Sequence, residues 1–211
     1  KFPKNLRLYE EIKKKEDKYK KPIYQSYSKV EIEEFFKSEN SSHISKVIQI
    51  LTNNLNKNSD DILTISLLGN FHGLNNELQK AIYFQKLAIQ KAPFESVFYL
   101  NLSESFRKND QLDQSLSILY FSKILSPKDT LINYKLAKLN TTLKNFAQSD
   151  LIYIDLVKDK NISKDIIISY CDNLIKFNKE DDVISFIEKI GENTSNDDVL
   201  QSVIGLAYYK K

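Results

Sequence analysis

One cysteine in 211 residues is too few for an internal disulfide or a multi-cysteine metal site, so neither can staple this chain. Glycine and proline occur four times each, as suits long helices joined by tight turns. There are two histidines, His43 and His72, and no His/Cys/carboxylate set with metal-ligand spacing. Gly69 and Gly73 sit in a helical pattern without the strand that a phosphate-binding loop needs. No metal, cofactor or catalytic residue is therefore expected, and the chain is expected not to be an enzyme. No apolar run approaches the roughly 18–20 residues of a membrane-spanning helix. Methionine is absent even at the start, where Lys1 stands. That start leads us to expect a processed or trimmed product from which a signal peptide or anchor was removed. Localisation is open between cytoplasm and cell envelope or periplasm, with a lean towards export or anchoring.

Net charge is also small. The 31 basic and 28 acidic residues leave a net +3. Residues 1–22 hold nine basic and four acidic side chains, +5, which leaves about −2 for the rest. Only Arg7 and Arg107 are arginines, and the body is not basic, so nucleic acid is not an expected partner. Residues 1–28 read as a Lys-rich N-terminal tether or arm. The arm leaves peripheral or anchored membrane association open.

What the chain does have is a period. Gly69, Ser103, Ala137, Cys171 and Gly205 are small and lie 34 residues apart, each preceded by a large residue (Leu68, Leu102, Leu136, Tyr170, Ile204). Twelve positions on come Ala81, Ser115, Ser149 and Val183; nineteen on come Ala88, Ser122, Leu156 and Ile190. Pro93 and Pro127 close the first two units. Such columns mark stacked helical hairpins, each burying its apolar face only against its neighbours. The small residues are where two helices come closest. Cys171 sits in that column and reads as a small buried apolar residue. Asn75-Asn76, Asn109-Asp110, Asn145 and Asn178 are expected to form the turns within units, and Asp60-Asp61, Asp129, Ser163 and Asn196 to cap the next helices.

The columns, the stretch Ala81–Ala88 running to Pro93, and Val203–Tyr209 resemble the tetratricopeptide repeat family over roughly residues 62–211. A 34-residue unit favours that family over the longer HEAT-type hairpin. The resemblance implies an all-α, right-handed superhelical solenoid of helix-turn-helix repeats. Expected divisions are a degenerate or capping pair at 29–58, built from helices over 29–38 and 42–56, then repeats at about 62–93, 96–127, 130–161 and 164–195. A C-terminal capping helix over 198–211 follows.

In this architecture the first helix of each repeat lines the concave face. Projecting the period puts Asn70, Leu100, Asn101, Glu104, Arg107, Lys108, Tyr134, Lys135 and Lys138 in a peptide-binding groove with apolar floor and basic middle. Some family members grip a terminal carboxylate with two Asn and three basic residues. Asn70, Asn101 and Lys135 match three of those positions, while Ser66 and Leu131 replace the other two. The two asparagines then contact peptide backbone groups, or merely reflect an Asn-rich chain. The expected function is a non-enzymatic protein–protein interaction scaffold or adaptor whose groove holds a partner peptide or helix. The alternative is an envelope-associated assembly or chaperone-like factor whose basic arm touches an anionic membrane or polymer.

Overall fold

A computed structural model describes residues 41–159, 162–190 and 198–210, with side chains from residue 44 onward. The Lys-rich arm, the helix expected over 29–38 and the cap expected at Asn196 lie outside the described residues. Those residues form ten helices and no strand, as the all-α repeat expectation requires. After α1 (Ser41–Lys57), the first helices of the hairpins are α2 (Ile62–Leu74), α4 (Ser96–Lys108), α6 (Thr130–Thr142), α8 (Lys164–Lys176) and α10 (Asp198–Lys210). Their starts at 62, 96, 130, 164 and 198 are each 34 residues apart. The second helices are α3 (Leu78–Lys91), α5 (Leu112–Leu125), α7 (Phe146–Leu156) and α9 (Glu180–Ile190), and they keep the same spacing. The chain divides between Ser126 and Pro127 into two compact units.

The turns within hairpins repeat in atomic detail. Asn76, Asp110, Lys144 and Asn178 have positive φ between 57° and 62°. One residue later, the amides of Glu77, Gln111, Asn145 and Lys179 donate to the carbonyls of His72, Phe106, Asn140 and Leu174 at 2.8–2.9 Å. This is the reversal that closes a helix through one left-handed residue and satisfies its last carbonyls. Asn and Asp tolerate that conformation, which explains three of the four. In the third hairpin Asn145 lies in the turn as expected, while the left-handed residue is its neighbour Lys144. The period overrides side-chain preference there, and Asn145 moves on to the start of α7, where its Nδ2 donates to Asn140 Oδ1 at 3.3 Å. Of the expected caps, Asp61 accepts from the amides of Leu63 and Thr64, and Asp129 from that of Ile132. Ser163 holds the cap position without a side-chain bond.

The two small columns meet. Ser115 Oγ donates to Ser103 O, and Ser149 Oγ to Ala137 O, both at 2.8 Å. A second helix can hydrogen-bond the backbone of the first only where neither carries bulk. Ser115, Ser149, Ala137 and Cys171 are fully buried in consequence. In the first unit, Val47 and Leu51 of α1 pack on Leu67, Leu68 and Phe71 of α2. Ile65, Ala88 and Phe98 form the next layer, and Ile82, Leu102 and Phe106 another. In the second unit, Tyr153 stacks on Tyr170 at 5.4 Å, and Phe186 meets Tyr170 edge-on at 4.9 Å. Pro93 has a use beyond stopping a helix: Tyr99 donates its hydroxyl to the Pro93 carbonyl at 2.8 Å. One period later, Asn133 Nδ2 donates to the Pro127 carbonyl at 2.9 Å. Helix α10 buries only Leu200 and Ala207, and a Cβ on its Gly205 would meet nothing within 4 Å.

Candidate functional site

In the first unit, α2 and α4 leave a cavity of about 200 Å³ over α3. Asn70 and Leu74 come from α2, and Asn101, Glu104 and Lys108 from α4, with Gly73 beside them. These positions recur because first-helix residues one period apart stand side by side once hairpins stack. Two more lining residues, Gln85 of α3 and Ser105 of α4, were not among the positions projected from the sequence.

The polar groups fall into three sets. Glu104 accepts from Arg107 at 2.6 and 3.1 Å, a two-pronged pair within one helix. Lys108 Nζ reaches the Gly73 carbonyl at 3.4 Å and is otherwise exposed. Gln85 donates to Asn70 Oδ1 at 3.3 Å and accepts from Ser105 Oγ at 2.8 Å. Leu100 is buried at 8% exposure, part of the interior wall, with little surface left for a partner. Ser66 is likewise buried.

Tyr134, Lys135 and Lys138 share α6 in the second unit. Tyr134 is half-buried, with its hydroxyl 3.0 Å from Ser169 Oγ and Lys138 Nζ 5.8 Å from its ring centroid. Lys135 is half-buried and Lys138 exposed. Asp172 of α8 is paired with Lys176 at 2.7 Å.

Cys171 is fully buried, and burial pushes its thiol pKa up to about 12, far from a nucleophile's range. His72 is buried against Phe84, with ring centroids 5.3 Å apart, and its Nδ1 lies 3.0 Å from Glu77 Oε2. Desolvation lowers its pKa, and the Glu77 carboxylate only partly offsets that. Among the described residues no group of three or more His, Cys, Asp or Glu side chains could hold a metal ion. No helix among them is long and apolar enough to cross a membrane.

No protein-family model matches the sequence, and no curated protein matches it. Solved structures do resemble the fold. A tetratricopeptide repeat protein from Parabacteroides merdae aligns with a TM-score of 0.70 at 13% identity, covering 97% of this chain and 73% of its own. A thermophilic one from Thermus thermophilus aligns at 0.58 and 14% identity, covering 80% and 92%. YrrB, a repeat protein of this kind with an unusual peptide-binding site, aligns at 0.62 and 14% identity, covering 75% and 82%. The chain has the tetratricopeptide-repeat fold.

Proposed function

We propose that this protein is a non-enzymatic interaction scaffold that holds a peptide segment of a partner protein against α2 and α4. The cavity framed by Asn70, Asn101, Glu104 and Lys108 carries the reading, because the Asn101 carboxamide makes no hydrogen bond among the described residues. A half-buried amide without a partner matches the alternating donors and acceptors of a peptide backbone. The side chains around it bind rather than transform: two carboxamides, a neutralised Glu–Arg pair and one lysine. YrrB, with the same fold and a peptide-binding site of its own, supports this use of the architecture. On the second unit, Tyr134, Lys135 and Lys138 offer an aromatic and basic contact surface.

The test begins with affinity capture on the full chain and identification of a retained partner. Its affinity is then measured for Asn101→Ala and Lys108→Ala, and for the double variant Tyr134→Ala/Lys135→Ala. Loss of about tenfold or more in either of the first two is expected, since few central residues dominate such interfaces. Parental affinity in both, with helical content unchanged, would place the partner elsewhere.

A further inference from the structure

Gln85 breaks its own column. One, two and three periods later stand Leu119, Tyr153 and Ile187, all large and buried. Gln85 is buried as deeply, at 3% exposure, yet it is an amide. Burying an amide is costly unless both its ends are bonded. Both ends are bonded here, and both bonds lead to cavity-lining residues: Ser105 Oγ donates to Oε1, and Nε2 donates to Asn70 Oδ1. Two neighbours make room for it. A Cβ on Gly69 would come within 2.7 Å of Gln85 Cγ, so only glycine fits beneath it. Ser105 is a small hydroxyl where Phe71 and Leu139 stand one period either side.

The consequence is directional. With Oδ1 engaged by Gln85, Asn70 has its Nδ2 donors left for the cavity. Lys108 adds ammonium donors, and the Glu104 charge is matched by Arg107. The cavity thus carries donors and one cation in excess of its internal pairs. At about 200 Å³ it is smaller than a small-molecule site and suits a single side chain.

We infer that the cavity receives an acidic side chain, Glu or Asp, from within a partner's peptide segment, and that Gln85 is the positioning residue that sets this preference by orienting Asn70. The inference rests on the peptide-binding reading above. The carboxylate accepts charge-assisted hydrogen bonds from Lys108 and Asn70, while the segment's backbone meets Asn101. Gln85 touches no ligand itself.

The experiment uses an array of nine-residue peptides of randomised sequence, each with both ends blocked, probed with the labelled full chain. A matching array with free C-termini runs beside it. Enrichment of Glu or Asp at one internal position of the blocked peptides is expected. The best binder is then measured against analogues with Gln or Lys at that position. Gln85→Leu, which makes the position apolar like that of the buried Leu119, should cut the preference of Glu over Gln by about five- to tenfold. Asn70→Asp, at a half-buried position outside the apolar core, should turn the preference from Glu towards Lys. A merely structural role for Gln85 would weaken every peptide alike and leave the Glu-to-Gln ratio unchanged, which overturns the positioning role. Blocked peptides retained without acid enrichment, or retention of free C-termini alone, overturn the inference while peptide binding stands. No peptide retained on either array overturns both.

Discussion

Ala137 shows how much a single residue carries in this fold. Its side chain is fully buried, and its carbonyl accepts from Ser149 Oγ across the helix pair. Ala137→Leu adds volume where two backbones touch, so it should cost about 1–3 kcal/mol. Gln148→Leu, one residue from Ser149 but exposed, should change stability by less than about 0.5 kcal/mol. Urea unfolding of the two variants checks this, and equal midpoints would mean that the small column is not the contact. Lys123 would be a poorer control, since it is half-buried.

His72 makes a second prediction at this scale. Burial lowers its pKa below the ordinary value of about 6.5, so the unfolded chain takes up a proton that the folded chain refuses. Stability from the neutral imidazole is whole above about pH 6.5 and is lost as pH falls through that value towards the lower folded pKa. Glu77, held below the usual carboxylate range by Lys80 and Asn75, extends the loss further into acid. Unfolding free energies at pH 7.5 and 5.5 should therefore fall on acidification. His72→Phe, which restores the residue type of Phe106 in that column, should flatten the fall. An unchanged slope in the variant would remove His72 from the account.

Helix pairs differ in how they are tied together. Asp150 of α7 is buried at 7% exposure and meets Lys179, just before α9, at 2.7 Å. Lys179→Met strands that carboxylate without its cation and should cost about 3 kcal/mol. Adding Asp150→Asn should recover much of the loss, because an uncharged pair leaves no buried charge unmatched. The comparable contact Lys158–Asp155, 3.0 Å long with both partners exposed, should be worth under about 0.5 kcal/mol when Lys158 is changed to Met. Thermal unfolding of these variants separates the two kinds of ion pair. A double variant as unstable as Lys179→Met would show that the lysine acts through packing.

For the whole molecule, the 34-residue period was legible because stacking hairpins demands small residues at fixed places, and helix starts from 62 to 198 follow it. Turn chemistry was legible at all four hairpins, although in the third the left-handed residue is Lys144, beside the expected Asn145. The candidate site was legible in part. Asn70, Asn101, Glu104 and Lys108 line the cavity, while Leu100 faces inward, because a groove projected from one helix ignores what the neighbouring hairpin covers. Gln85 lies on a second helix, which a groove projected from first helices does not include. Its signal was present all the same: one amide in a column of Leu, Tyr and Ile.

Peptide binding in the cavity between α2 and α4 has a direct spectroscopic signature. The most direct measurement is nuclear magnetic resonance of the 15N-labelled full chain, following the side-chain amide signals of Asn70, Gln85 and Asn101 as the tightest array peptide is added. These three should shift together and saturate at the affinity measured on the array. Shifts confined to outer residues of second helices, such as the exposed Tyr83, with the three carboxamides unmoved, would contradict it.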